Sequence, residues 1–427
     1  MKTVTREIAI VLGGTNPHKE LIRNLKNRGY YTILIDYNES PPAIFDADEH
    51  IRESTLDKEK VLEIAKKRNA CLVISACIDQ ANVTACYVAE KLNLPRPYSY
   101  NTALSVTNKK LMKDIMVSNG IQTSKHFTVG QLGEIDSSVL KFPLIVKPID
   151  GNSSKGVRKA INQKELKTYL KDALNLSRND TAIIEEFKEG KEIGVDCFIK
   201  DKEVIILRTR ERHKMIVDKD NPIQQIQSAF WPADLSDDCM TKLNLIFNKI
   251  AEIFNLDNTP LLVQAIVENE NINIIEFAPR IGGGENYKNI KLYSGFDIID
   301  SAVNSFLGIP VNIDKKIGLN KSNEKEKFCV KSDYFETVFI YAKPCTLGKV
   351  IGLEELLKKK AIEYYCIYKE TGNVLGKDLS SNNRVGSFIV KSESKSGLGL
   401  KIRKVLDKIE VFDINGNPVM KNDIYDY

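Results

Sequence analysis

The sequence lacks the patterns that usually mark a metal centre, a disulfide framework or a membrane span. Its eight cysteines contain no Cys-x-x-Cys pair, and its four histidines lie far apart in the chain. Free thiols among apolar residues are typical of a reducing compartment, and isolated histidines argue against a zinc or iron site. No apolar run reaches about 18–20 residues, and the N-terminus has no signal-peptide core. These absences predict a cytoplasmic protein without a membrane partner.

The sequence also has little excess of one charge sign: its net charge is only +5 over 427 residues. The densest basic run, residues 358–360, continues a predicted polar helix that begins near Glu354. A solvated helix face explains such a run better than a nucleic-acid contact does. The composition therefore predicts a globular protein with no nucleic-acid partner, and the length allows two to four domains of about 100–200 residues.

The first hundred residues alternate strand and helix signals. Residues 7–14 (EIAIVLGG) form a predicted strand that ends in glycines, a helix follows up to Gly29, and a second strand ends at Asp36. This order predicts a βαβ unit in a Rossmann-like parallel sheet. The glycine turn, GGTNPH, lacks the G-x-G-x-x-G spacing, which argues against a dinucleotide site although Asp36 follows at a suitable distance.

A buried strand followed by a lysine and a small polar loop is the first candidate for phosphate binding. Lys147 precedes the loop at residues 151–156, which contains Ser153, Ser154 and Gly156. Backbone N–H groups and hydroxyls in such a loop can fold over a triphosphate. The alternatives are an end-of-strand lysine and an ordinary surface loop. The loop is not a Walker A motif, because no Gly-Lys-Ser/Thr follows.

Several acidic and polar side chains form the second candidate group. Glu185 and Glu192 lie near the ends of predicted strands, where they can meet adenine and ribose, or can simply be solvated. Gln264 and Glu276 belong to a predicted hairpin that turns at residues 269–271, so both can supply oxygens to Mg²⁺. Arg280 follows within EFAPRIGGG, where its planar fork suits a phosphoryl group. A charged strand end with a flexible glycine turn is the alternative explanation.

These residues occur in an order that resembles the ATP-grasp superfamily, in particular the carboxylate–amine ligases related to L-amino acid ligases and carbamoyl phosphate synthetase. The resemblance spans the whole chain. It implies an α/β fold that becomes α+β in the later domains. The implied domains are a pre-ATP-grasp α/β domain at 1–105, an ATP-grasp domain at 106–312 with a lid at about 115–190, and a small α+β domain at 313–427.

The resemblance also implies a role for each candidate residue and names the cofactors, ATP and Mg²⁺, with Mn²⁺ as an alternative metal. The implied roles are phosphate binding by Lys109 and Lys147 with the loop containing Ser153, Ser154 and Gly156, adenine binding by Glu185, bracketing of the base at Phe187 and Lys188, ribose binding by Glu192, metal binding by Gln264 and Glu276, and catalysis by Arg280. Many relatives have Asp or Glu in place of Gln264, and Asn in place of Ala278. The number of metal ions therefore stays open.

The expected function is ATP-dependent ligation of a small-molecule carboxylate to an amine through an acyl phosphate. A bicarbonate-activating carboxylase or a purine-pathway enzyme is an alternative, although a biotin-carrier motif, Met-Lys-Met, is absent. A nucleotide-binding module without turnover is the alternative from another class. Assembly is left open, with a homodimer as one option. Two further features each have two explanations. The alternating Arg208, Arg210 and Arg212 face either an anion or solvent. Trp231, in a predicted loop, either lines a pocket or anchors packing.

Overall fold

The computed structural model describes residues 6–75, 77–130, 140–151, 156–215, 225–313, 333–376 and 383–425. Ser153, Ser154 and most of the polar stretch after Pro310 lie outside these residues. Within the described ranges the chain is a mixed α/β protein, which confirms the predicted fold class.

The N-terminal part is a parallel sheet flanked by helices. Its strands are ordered β3-β2-β1-β4, and every pairing in it is parallel. β1 and β2 are apolar and almost fully buried, as expected for a sheet with both faces covered. The predicted βαβ unit is therefore confirmed. The elements are β1 (Ile8–Leu12), α1 (Asn16–Asn27), β2 (Tyr31–Ile35), β3 (Glu49–Ile51), α2 (Lys58–Arg68), β4 (Leu72–Ile74), α3 (Asp79–Lys91) and α4 (Tyr100–Thr107).

A four-stranded antiparallel sheet follows, with strand order β5-β8-β6-β7. Helix α6 packs its apolar face, Leu166, Leu170 and Ala173, against Val146 and Ile184 of this sheet. The packing holds β6 and β8 side by side, and these strands carry Lys147 and Glu185. The elements are α5 (Lys109–Ser118), β5 (His126–Val129), β6 (Leu144–Pro148), β7 (Arg158–Ala160), α6 (Gln163–Leu176) and β8 (Ala182–Glu186).

The centre of the molecule is a larger sheet built on two hairpins. The β9–β10 hairpin turns at Asp201. The β12–β13 hairpin turns at residues 269–270, close to the predicted position. Ser236 caps α7 by accepting a hydrogen bond from the Cys239 N–H, as its sequence predicts. The elements are β9 (Lys191–Lys200), β10 (Glu203–Lys214), β11 (Ile226–Trp231), α7 (Asp237–Ile253), β12 (Thr259–Glu268), β13 (Asn271–Ala278), α8 (Asn286–Ser294) and α9 (Ile298–Phe306).

The C-terminal part extends this same sheet. The strand order β13-β12-β9-β10-β11-β14-β18-β16 makes it eight-stranded, with β11 paired to β14. The division of the chain into three domains stays a prediction. The elements are β14 (Tyr334–Tyr341), β15 (Cys345–Ile351), α10 (Leu353–Lys358), β16 (Tyr364–Ile367), β17 (Val374–Leu375), β18 (Arg384–Ser392), α11 (Lys395–Leu406), β19 (Glu410–Asp413) and a 3₁₀ helix (Asn422–Ile424).

The prediction that Trp231 lies in a loop was wrong, because Trp231 is the last residue of β11. Its side chain is fully buried, stacks on Phe335 with ring centroids 5.3 Å apart, and receives the Arg208 guanidinium on its face at 4.9 Å. Trp231 therefore anchors packing between strands.

The described residues contain neither a disulfide nor a membrane-spanning helix. Cysteines in the described ranges form no disulfide. Among the same residues, no helix combines the length and the apolarity needed to cross a bilayer.

Candidate functional site

The most deeply buried part of the site is a carboxylate between two lysines. β6 and β8 are antiparallel neighbours, so Lys147 and Glu185 come together with an Nζ–Oε1 distance of 2.9 Å. Lys113 of α5 reaches the same oxygen at 3.3 Å and donates to the Thr123 hydroxyl at 2.7 Å. The side chains of Lys113, Lys147 and Glu185 are 0%, 8% and 6% exposed. Three charges are thus held with almost no access to water.

The charges of this cluster are set by the balance of burial and attraction. Burial opposes ionisation of Glu185, but Lys147 and Lys113 outweigh it and lower the pKa of this carboxyl to about 2. Burial also opposes the charge on Lys147, yet Glu185 and Glu276 raise its pKa. At Lys113 burial prevails and lowers the pKa of the ammonium group. Glu185 is therefore an anion whose charge is directed at two cations.

A second polar cluster crosses the central sheet. Glu192 of β9 pairs with Arg212 at 2.6 Å and with Lys214 at 2.7 Å, and Arg212 also donates to the Gln264 amide oxygen. Gln264 in turn donates to Glu276 at 3.2 Å, since these residues are register partners on β12 and β13. The hairpin prediction that placed Gln264 beside Glu276 is confirmed. Burial opposes ionisation of Glu192, but Arg212 and Lys214 lower the pKa of this carboxyl.

One lysine contacts the backbone at residue 151, just before the small polar loop. Lys109, the first residue of α5, donates to the Gly151 carbonyl oxygen at 2.6 Å. Gly156, at the other end of the loop, has φ +74°, and a Cβ there would lie 2.8 Å from Leu176 and 3.0 Å from Pro148. This backbone therefore requires glycine. Lys109 therefore connects the start of α5 to the backbone at Gly151.

Most of the predicted site residues line one cavity of about 130 Å³ between the two sheets. Lys159 lies over the ring of Phe187 with Nζ 4.0 Å from the centroid, and Lys188 pairs with Glu186 at 2.9 Å. Gly156 and Arg280 are not among the cavity-lining residues. The predicted residues that line it are Lys109, Lys147, Glu185, Phe187, Lys188, Glu192, Gln264 and Glu276.

Arg280 instead lines a larger cavity of about 500 Å³. Its guanidinium forms a two-point ion pair with Asp79, at 2.5 and 2.6 Å, and donates to the Ile281 carbonyl oxygen at 2.8 Å. Burial lowers the pKa of Arg280, but the charge of Asp79 outweighs this and raises it. The two cavities share the lining residues Lys109, Gly151, Arg212, Gln264 and Glu276.

The arginines of β10 are paired rather than free. Arg208 and Arg210 both contact Asp196, and the Cβ of any larger residue at Gly194 would lie 2.7 Å from the Arg210 guanidinium carbon. Arg208 is fully buried, whereas Arg210 and Arg212 line the larger cavity. Arg208 therefore does not face the cavity, and an anion at Arg210 and Arg212 stays a prediction.

The donor set for a metal is small. In the described part of the chain, no group of three or more His, Cys, Asp or Glu side chains could hold a metal ion. Glu276 is one carboxylate, and the amide oxygen of Gln264 is already accepting from Arg212. This set fits Mg²⁺, which proteins commonly bind through one or two carboxylates together with substrate phosphates. Glu276 would hold such an ion, and the role of Gln264 stays a prediction.

Sequence reasoning missed two residues of the site, namely Lys113 and Asp79. Lys113 lies one helical turn after Lys109, so its spacing was a usable signal. Asp79 offered none, because its partner is 201 positions away.

Comparison with known protein sequences identifies the central region. Residues 107–286 match the family described as phosphoribosylglycinamide synthetase, ATP-grasp (A) domain. Phosphoribosylamine–glycine ligase of Helicobacter pylori (strain J99) is 28% identical over 237 residues, which cover 53% of this chain and 52% of that protein. The carbamoyl phosphate synthase large chain of Clostridium botulinum (strain Langeland) is 24% identical over 371 residues, covering 83% and 34%. The matched part of the chain thus spans about half the length of the first relative and about a third of the length of the second.

Solved structures show the same fold along nearly the whole chain. The L-amino acid ligase from Bacillus licheniformis superposes with a TM-score of 0.76 at 18% identity and covers 96% of this chain and 99% of its own. Phosphoribosylglycinamide synthetase from Anaerococcus prevotii gives a TM-score of 0.70 at 21% identity, covering 96% and 100%. Residues 107–286 thus match an ATP-grasp domain family, and nearly the whole chain shares the fold of these solved structures.

Proposed function

We propose that this protein is an ATP-dependent ligase that joins a small-molecule carboxylate to an amine. The observation that carries the proposal is the junction of the two cavities. Lys109, Gly151, Arg212, Gln264 and Glu276 line both, so a phosphate chain bound among them would have a nucleoside on one side and a substrate on the other. Such a junction suits phosphoryl transfer between two bound molecules.

The proposed nucleotide orientation follows from charge. Lys147 and Lys109 attract the phosphates, while Glu192 and the segment at Phe187 and Lys188 would face ribose and base. Glu185 would accept a hydrogen bond from the adenine amino group only through carboxylate lone pairs that its two lysines do not occupy. Bound Mg²⁺ would neutralise phosphate charge next to Glu276.

The proposed reaction has two steps. A carboxylate oxygen of the acid attacks the γ-phosphorus of ATP, the bond to ADP breaks, and an acyl phosphate forms. The amine nitrogen then attacks the acyl carbon, inorganic phosphate leaves, and the nitrogen loses a proton. Arg280 would stabilise the negative charge that develops on the transferred group and on the tetrahedral intermediate.

The test is phosphate release from Mg-ATP across a panel of paired acids and amines, beginning with amino acids, with mass spectrometry of each positive mixture. We expect release only when both partners are present, with a product lighter than their sum by one water. Release that needs bicarbonate would instead support a carboxylase. ATP binding with no release across the panel would support a module without turnover.

A matched pair of variants connects the activity to this site. Glu276→Gln should abolish Mg-dependent release, because the amide removes the charge that faces the metal. Glu268→Gln changes an exposed carboxylate near the turn of the same hairpin and should leave release unchanged. Equal activity in the two variants would contradict the assignment of Glu276.

A further inference from the structure

Glu285 is a buried carboxylate in the wall of the larger cavity. It lies immediately before α8 and is only 3% exposed, yet it lines the cavity. Neither of its side-chain oxygens receives a hydrogen bond of normal geometry from the described residues. A buried carboxylate without a partner is costly, so this position implies a partner that the described residues do not supply.

The groups around Glu285 do not neutralise it. Burial raises the pKa of this carboxyl, and the nearby Cys366, Tyr287 and Tyr364 side chains only partly oppose the rise. Lys288, whose charge also opposes the rise, forms its ion pair with Glu20 at 3.2 Å and lies over the Tyr287 ring. The Glu285 carboxyl therefore has no ion-pair partner among the described residues, and a cationic ligand would favour its charged form.

The other charged groups of the cavity make this position unusual. Arg210 and Arg280 each have a carboxylate partner, Asp196 and Asp79. No cation of the described residues forms an ion pair with Glu285, although it shares the cavity with Glu276 and Arg280. A substrate that reacts near Glu276 can therefore extend a cationic group towards Glu285 without leaving the cavity.

We propose that Glu285 binds the ammonium group of an amine-bearing substrate, an amino acid in the simplest case. An ammonium group has three N–H donors and one positive charge, which match two open carboxylate oxygens in a site shielded from water. The inference rests on the proposed function, because it assigns one of the two substrates of that reaction to a wall of the cavity. It makes Glu285 a specificity-determining residue.

The test measures binding directly, so it does not depend on turnover. The probes are the standard L-amino acids, each titrated calorimetrically into the full chain saturated with Mg-ADP, and the deaminated analogue of every amino acid that binds. At least one amino acid should bind, and its deaminated analogue should bind at least about tenfold more weakly, as expected when a charged hydrogen bond is lost. Glu285→Gln should weaken the amino acid to a similar extent and leave ADP affinity unchanged.

The control is Glu336→Gln, which removes another carboxylate, 4% exposed, that pairs with His213 and does not line the cavity. It should bind the amino acid like the wild type. The inference is overturned if no amino acid binds to the wild type, or if Glu285→Gln binds it as tightly.

Failure of this inference and failure of the ligase proposal have different signatures. Phosphate release from acid–amine pairs, with an unchanged amine KM in Glu285→Gln, would refute the role of Glu285 and retain the ligase. Amino acid binding that depends on Glu285, without phosphate release in any mixture, would retain the inference and refute the ligase.

Discussion

Asp79, the first residue of α3, forms a two-point ion pair with Arg280, which lies beyond the end of β13. The Arg280 side chain is 14% exposed and also contacts a backbone oxygen, so its orientation is fixed before any substrate binds. Asp79, from the N-terminal part of the chain, thus holds the Arg280 side chain in the wall of the larger cavity. A guanidinium held in this way needs little reorganisation when charge develops beside it.

Replacing Arg280 tests whether its charge acts during the reaction. Arg280→Ala should lower kcat by about a hundredfold or more and change ATP affinity by less than about threefold, because the charge that it would stabilise develops in the transition state. Steady-state kinetics with calorimetry of ATP binding measures both quantities. Equal losses in the two would contradict this role.

Replacing Asp79 tests whether the ion pair positions Arg280. Asp79→Asn keeps the size of the side chain and removes its charge, so Arg280 should stay in place less often and kcat should fall by about tenfold. A structural effect alone would lower thermal stability without a selective effect on kcat. The kcat loss should largely disappear in the Arg280→Ala background, which a double-mutant cycle would measure.

Lys147 is expected to contribute mainly to nucleotide binding. Lys147→Ala removes a buried ammonium that lines the smaller cavity, and ATP affinity measured by calorimetry should fall by about tenfold or more. Lys110→Ala, which removes an exposed lysine paired with Asp114, is the matched control and should bind ATP normally. Unchanged affinity in Lys147→Ala would remove this residue from the site.

Lys113 is expected to contribute mainly to stability. Lys113→Met leaves Glu185 buried with one cation in place of two, which should lower the free energy of unfolding by about 1–3 kcal/mol. Urea denaturation at pH 7 measures this change. Lys110→Met should cost less than about 0.5 kcal/mol, because an exposed ion pair contributes little. A similar loss in both variants would show that the buried pairing is not responsible.

The buried imidazole of His18 predicts a pH dependence of stability. Its side chain is fully buried, its Nδ1 shares a hydrogen bond with the Thr15 hydroxyl at 2.8 Å, and burial lowers its pKa to about 4. The unfolded chain therefore takes up a proton below about pH 6.5 while the folded chain does not. Because of this imidazole, the free energy of unfolding should decrease by about 2 kcal/mol as the pH falls from 7 to 5.

The measurement is the free energy of unfolding at pH 7 and pH 5 for the wild type and for His18→Gln. The glutamine variant should lose this part of the pH dependence even if it is less stable at both values. An unchanged difference in His18→Gln would contradict the assignment.

Local signals were sufficient to predict much of the fold and part of the site. The bounds of α2 (Lys58–Arg68) agree with its sequence pattern, because the cap and the apolar period belong to the helix itself. The contact between Gln264 and Glu276 was predictable for a similar reason: a short turn fixes the register of a hairpin.

Contacts between distant segments could not be predicted from one sequence. Lys113 meets Glu185 only because α5 lies against a sheet formed later in the chain, and Asp79 meets Arg280 across two regions. Trp231 was misplaced because Pro232 after it suggests a turn, whereas pairing of β11 with β10 and β14 makes this segment a strand. No local signal in the sequence marks Glu285, and only the packing around it shows that it is buried.

The continuity of the eight-stranded sheet has a consequence for shortened forms of this protein. β11 is paired with β10 on one side and with β14 on the other. A chain cut between residues 313 and 333 would lose β14, and the backbone N–H and C=O groups along β11 would become an open edge. Open edges of this kind promote aggregation. We therefore expect truncation to cause insolubility before it affects nucleotide binding, and fragments meant to isolate the ATP-grasp region should retain β14.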